Sequence, residues 1–394
     1  MKYFLLLLLI FHQSARGQSS IEQYISETAI PVLSIQPDTS YDTDLDAVAA
    51  KLGDARILLL GEQDHGDAAS FLAKTRLIRY LHEKKGFNVV VFESDFFGLN
   101  EGWDQSAKTP EAIYAFMRKN ITRVWSYCDG FSYFEQQLVP GSFQTKAPLQ
   151  LSGIDNQLAL SYSAKNLRPL LDSILRLRKL PLTNEPAYTT VLLPVVDSLT
   201  AKLFYKKSAS FYGTAEQYLA RLQQELISAG YQDDFWTMVV ENLLHLSSQF
   251  RLMPDNPEAA RNERDQQMAR NLQWLCRVKY ANEKIIVWAQ NFHISRNAGQ
   301  YASRELNKVI SMGTYFTKDS LLSRQTYVMG ITSANGQTGW AGTAPHTVEA
   351  PPKNSFENKI PVDYPNAFVD FTGWNAAHPD SKSNFNMNGS VFYL

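Results

Sequence analysis

Cysteine is nearly missing from this chain of 394 residues: only Cys128 and Cys276 occur, too few to build a cysteine-based zinc site. The two thiols either pair or stay free, since so wide a separation in sequence carries no distance in space. A charge surplus is also missing. Lys and Arg number 38 against 39 Asp and Glu, a formal net charge of −1, which offers no basic groove for nucleic acid and no polybasic face for a membrane. A small-molecule substrate is the expected partner, and oligomeric state is not read from these residues. No apolar run approaches the roughly 20 residues of a membrane span, so no stable membrane anchor is expected. Three chemical signatures are absent as well. There is no Gly-x-Ser-x-Gly nucleophile elbow, no phosphate-binding glycine loop and no dinucleotide glycine fingerprint.

What the first residues do contain is a charged start, Met1-Lys2-Tyr3, a short apolar stretch from Phe4 to Phe11, and the small-x-small triplet Ala15-Arg16-Gly17. That order reads as a signal peptide over residues 1–17, and it places the mature chain outside the cytoplasm, secreted or periplasmic. No cysteine follows the cleavage site to accept a lipid.

The chain is organised around residues 56–93. An apolar run, Ile57-Leu58-Leu59-Leu60, breaks into Gly61-Glu62-Gln63-Asp64-His65-Gly66; a helical segment from Asp67 to Lys85 follows, and a second apolar run, Phe87 to Phe92, ends at Glu93. Strand, polar loop, helix and strand in this order make a right-handed crossover, so the two strands are parallel and their polar ends emerge at one edge. Two further runs repeat the pattern: Leu149 to Ile154 ends at Asp155-Asn156-Gln157, and Lys284 to Ala289 ends at Gln290-Asn291-Phe292-His293. Gln325 to Thr332, Ala367 to Thr372 and the tail from Gly389 also read as strands. The fold class is therefore α/β, a mainly parallel sheet flanked by helices. Residues 18–160 supply its first part, 161–260 read as a helical insertion or subdomain, and 261–394 complete the sheet.

Four parallel strand ends bring Glu62 with His65, Glu93, Asp155, and Asn291 with His293 to the edge where open α/β sheets bind ligands. Each group alone has a plain structural reading, because polar residues follow strands wherever loops meet water. His65 stands out: Gly66 beside it and Glu62 three residues before it suit a tight turn in which a carboxylate orients an imidazole able to take a proton from water. Lys74, near the helix start, points back toward the loop. Two histidines and two glutamates are also acceptable metal ligands, but Glu-x-x-His is not the His-Glu-x-x-His helix signature, so hydrolysis without a cofactor is the leading reading and a metal ion the lesser one.

At these residues the sequence resembles the erythromycin esterase family. Gly61-Glu62-Gln63-Asp64-His65-Gly66 matches its Gly-Glu-x-x-His-Gly segment, continued by Lys74, Arg76, Leu77, Ile78 and Arg79, by Gly86-Phe87 and by Glu93. Gly153-Ile154-Asp155, then Arg264-Asp265 with Met268, Ala269 and Asn271, then Trp288-Ala289-x-Asn291-x-His293 follow in the same order, from about residue 45 to 332. The resemblance implies hydrolysis of a macrolactone or other ester by activated water, with no covalent intermediate. It implies His65 as general base, Glu62 and Glu93 orienting and polarising it, and His293 assisting together with Lys74. Arg76, Asp155, Gln290 and Asn291 are the expected substrate-binding residues. Two positions depart from the family: Ala69 stands where an acidic residue is frequent, and Gln290 stands where the family has the first histidine of His-Asn-x-His. The alternative is a non-catalytic protein binding a metal, porphyrin or glycan on the same scaffold.

Overall fold

The computed structural model describes residues 20–201, 207–297 and 308–378, apart from 341, 349, 352 and 354. The expected signal peptide, residues 1–17, and the expected tail strand lie outside the described residues. Five parallel strands form the central sheet: β1 (Ile57–Glu62), β2 (Phe87–Asp95), β3 (Gln150–Asp155), β4 (Lys284–Gln290) and β5 (Thr326–Met329), in the spatial order β3-β2-β4-β1-β5. The strands whose polar ends were expected to converge are thus four consecutive neighbours.

These strands read as unbroken apolar runs because helices cover both sheet faces. Period-two alternation sorts their side chains. Leu58, Leu60, Val90, Phe92, Ile286 and Trp288 share one core with Phe71, Ile78 and Leu81 of α1 (Ala68–Lys85). Ile57, Leu59, Val89, Val91, Ile285, Val287 and Ala289 share the other with Met268, Ala269 and Leu272 of α5 (Pro257–Trp274). Helix α1 starts where Asp67 accepts hydrogen bonds from the Ala69 and Ser70 amides, and it stops at Gly86, whose φ of 73° suits a residue without a Cβ.

Within the stretch 161–260, α2 (Ser161–Leu177), α3 (Ala209–Ser228) and α4 (Phe235–Leu252) pack around Leu167, Leu171, Leu219, Leu222, Val239 and Leu243. Their core also takes in Phe96, Phe97 and Leu158 from the ends of β2 and β3, so it continues into the sheet. The expected strand at Ala367 to Thr372 is a correction. Only Ala367–Phe368 is extended, it pairs antiparallel with Ile30–Pro31 away from the main sheet, and the chain turns helical from Thr372. Cys128 and Cys276 are both free thiols, and burial pushes Cys276 up to about 12. Among the described residues, no helix is long and apolar enough to cross a membrane.

β2 and β3 approach closely at Gly153, where a Cβ would run into the backbone of Ser94 and Asp95. Backbone yields poorly, so Gly153→Ala should lower stability by about 1–3 kcal/mol, measured as a lower urea midpoint.

Candidate active site

Alternation also decides which face each edge carboxylate joins. Glu62 continues the face of Leu58 and Leu60 and meets α1. Glu93 continues the face of Val89 and Val91 and meets α5. The edge therefore holds two polar clusters rather than one.

In the first, the Glu62 carboxylate is fully buried and fully engaged. Its Oε1 accepts from Trp125 Nε1 at 2.9 Å and from His65 Nδ1 at 3.1 Å, and its Oε2 is bonded by Lys74 Nζ. A carboxylate only accepts, so Nδ1 carries the proton and Nε2 is left with the lone pair in the neutral ring. Nε2 makes no hydrogen bond among the described residues, and the His65 side chain is 14% exposed, enough for a water to reach it. The rings of Trp125 and Trp340 stand edge-on to the imidazole, with centroids 5.3 and 6.0 Å away. Lys74 does point back to the loop, but it is wholly buried and also donates to Leu60 O at 2.9 Å and Ala289 O at 3.3 Å. With three N–H groups spent, it holds the strands and does not reach substrate.

In the second cluster, Glu93 accepts from Arg264 Nη2 at 2.8 Å, from the Gln290 amide at 3.1 Å and from His293 Nε2 at 3.2 Å. His293 Nδ1 lies 2.7 Å from Asp265, and Arg264 also forks onto Asp155 at 2.7 and 3.1 Å. Burial works against a charged His293, yet Asp265 and Glu93 outweigh it and raise the imidazole to about 10. Glu93 is held well below the usual carboxylate range by His293 and Arg264, which outweigh its burial. Glu93 thus bonds His293; its link to His65 is electrostatic, through space, and differs from the orienting contact the resemblance implied.

Gln290 joins the clusters. It is the register partner of Glu62 across β1 and β4, and its amide grips Glu93. That amide is indifferent to the side chain, so this link survives a glutamine where the family has histidine. Two expected substrate-binding residues are placed elsewhere. Asn291 is a clamp, donating to Ile331 O at 2.8 Å and accepting from Ile331 N at 3.2 Å as the chain leaves β5. Its side chain also requires Gly61 to lack a Cβ. Arg76 faces away from the edge and is buried against Asp44 at 2.7 and 2.8 Å and the carbonyls of Ser34 and Tyr41. Its position on α1, two residues after Lys74, turns it to another side of the helix.

Trp125, Arg264, Asp265 and Trp340 carry much of this geometry and had no role assigned from the sequence. Asp265 had a signal, since it lies on the buried face of α5 with Met268, Ala269 and Leu272, where an acid needs a partner. Trp125 and Trp340 had none. The latter is brought in by Asp64, which accepts from Trp340 Nε1 at 3.2 Å, Thr338 Oγ1 at 2.5 Å and the Gly66 amide at 3.0 Å. Among the described residues, no group of three or more His, Cys, Asp or Glu is arranged to hold a metal ion.

The family model described as erythromycin esterase matches residues 144–387, more than half of the chain. The chain belongs to the erythromycin esterase family. Its curated relatives include the putative hydrolase YbfO of Bacillus subtilis strain 168, 28% identical over 92% of this chain and 84% of that protein. Erythromycin esterase type II of Escherichia coli is 31% identical over a shorter stretch, 25% of this chain and 23% of that one. Among solved structures, an erythromycin esterase, the mutant EreC in its open conformation, superposes with a TM-score of 0.67 over 83% of this chain and 84% of its own, at 19% identity, a likeness of fold. In this erythromycin esterase family member the Gly-Glu-x-x-His-Gly segment precedes the matched region and is tied to it by the bonds of Asp64 to Thr338 and Trp340.

Two outcomes test these assignments. Arg76→Met leaves Asp44 buried and unpaired, so it should cost roughly 3–5 kcal/mol of stability with kcat preserved in the remaining folded protein; lost turnover with intact stability would return Arg76 to the site. His293 should show both ring nitrogens protonated at pH 8 in a 15N spectrum. Its folded pKa lies above the unfolded value, so its contribution to stability is complete below about pH 6.5 and is lost as pH rises through about 10.

Proposed function

We propose that this protein is a hydrolase that cleaves a carboxylic ester, a macrolactone or another bulky ester, with His65 activating the attacking water. The observation that carries the reading is the His65 ring: Nδ1 committed to Glu62, Nε2 unengaged among the described residues, at the carboxyl edge of a parallel sheet. In the reaction, Nε2 takes a proton from water as the oxygen bonds to the ester carbonyl carbon. The tetrahedral intermediate then expels the alkoxide, which recovers that proton from Nε2 and leaves as the alcohol beside the free acid. No step requires a residue to form a covalent bond with substrate.

The second cluster supplies the positive charge. A doubly protonated His293 has no lone pair for Arg264 Nη1, 3.4 Å from its Nε2. The hydrogens of Nη1 are then unspent on His293 while Nε and Nη2 hold Asp155 and Glu93, which leaves Nη1 to receive the carbonyl oxygen as it gains charge. Support for metal-free hydrolysis comes from the donor set: Glu62 is matched by Lys74 and Glu93 by Arg264, so an added cation would have to displace one of them. The N-terminal signal pattern supports export before the protein acts.

Mass spectrometry of macrolides and simple esters after incubation with the mature protein should show a gain of one water, unaffected by chelator. His65→Ala should lower kcat by roughly 10²–10⁴-fold with an unchanged circular dichroism spectrum. Undiminished turnover in that variant, or loss of activity with chelator, overturns the mechanism; saturable binding without product across the panel favours a binding protein.

A further inference from the structure

The two histidines at the edge have the same neighbours in kind, carboxylates and one strong cation each, but in different proportion. Around His293 stand Glu93, Asp155 and Asp265 with Arg264 as the one other cation among the described residues, so there the carboxylates outnumber it and the imidazole is drawn into the charged form. Around His65 stands Glu62 alone as a bonded carboxylate, and Lys74 already matches it. Glu93 acts on this pair only through space, and it is itself held by Arg264 and His293. The loop acids Asp64 and Asp67 are spent on Thr338, Trp340 and the Gly66 amide, and on Ser70 and Ser333.

We propose that Lys74 is the counter-ion of Glu62 and thereby keeps His65 uncharged, and so able to act as a base, at neutral pH. The physical reason is the expense of an unmatched carboxylate in the interior. Without Lys74, Glu62 would find its nearest cation by protonating His65, and the imidazolium so formed has no lone pair to offer water. With Lys74 in place that demand is met before the imidazole is involved, and Glu62 is left to orient Nδ1. Lys74 fits the role in geometry: it is fully buried, bonded to Glu62 Oε2, fixed between β1 and β4 by two carbonyls, and 4.9 Å from the face of the Trp288 ring. Burial pulls its ammonium down to about 8 against the raising effect of Glu62, so it is charged at neutral pH. Lys74 is thus a positioning residue acting through Glu62, not a group that touches substrate.

This inference rests on His65 being the base, but part of its test needs no turnover. In the wild-type protein at pH 7, 15N spectra should show His65 as the neutral ring protonated on Nδ1, beside a cationic His293. A charged His65 there overturns the proposal, whatever the substrate proves to be. In Lys74→Met the pH midpoint of the His65 ring signals should move up by about one unit or more. In the double variant Lys74→Met with Glu62→Gln, which removes both charges, the midpoint should fall back from that of the single variant. For an ester that the wild type turns over, Lys74→Met should lose roughly tenfold or more in kcat/KM at neutral pH and regain most of it near pH 9. An equal loss at every pH with an unmoved ring midpoint would make Lys74 a packing residue only. If Lys74→Met does not fold, the wild-type spectrum and the charge-free double variant, whose His65 must again be neutral at pH 7, decide the matter.

Discussion

Burying a carboxylate at the end of a strand demands a cation, and the sheet edge of this protein is built on that demand. Glu62 closes β1 and Glu93 lies two residues before the end of β2, both buried, and each is matched by a residue from a different helix, Lys74 of α1 and Arg264 of α5. These pairs do more than balance charge. They fasten the two helical layers to the sheet at the place where the strands stop, so that the groups left over, the Nε2 of His65 and the Nη1 of Arg264, stand on a rigid frame. Replacing such pairs with apolar residues is often neutral or favourable for stability; their value lies in where they leave the remaining polar atoms.

The same demand sets different surroundings for the two histidines on neighbouring strand ends. His293 lies between Asp265 and Glu93 and is drawn into the charged form; His65 shares its one carboxylate with a lysine and an indole N–H. The aromatic rings of Trp125 and Trp340 flank His65, and Asp64 fixes one of them from within the loop that carries His65. The loop and the stretch from Thr338 to Trp340 are therefore held together, as the close approach of Gly66 to the backbone of Gly339 also shows.

Much of this was legible in the residues. Four apolar runs of strand length announced a parallel sheet, because a strand covered on both faces has no polar side to alternate, and the structure puts them next to one another. Glu62, His65, Glu93, Asp155 and His293 were found from their places at run ends, and all meet at the edge. Arg76 and Asn291 were carried along by proximity to the motif, and their contacts belong to packing: one turns off the helix face that Lys74 occupies, the other locks the exit of β5. The strand expected at Ala367 shrank to two residues because its partner, Ile30–Pro31, is short and stands apart from the main sheet.

Local sequence by itself determined the strands, the helix between Asp67 and Gly86, and the turn that sets Glu62 against His65, since each depends on side chains within a few residues of one another. Tertiary structure alone decided which carboxylate serves which imidazole. Parity along β1 and β2 sent Glu62 and Glu93 to opposite faces, and only the helices packed there fixed the cations they would meet. Trp125 and Trp340 entered through distant loops that no spacing announces. Protonation follows the count of charges within a few ångströms in space, and that count is assembled by the fold from residues as far apart as Glu93 and His293.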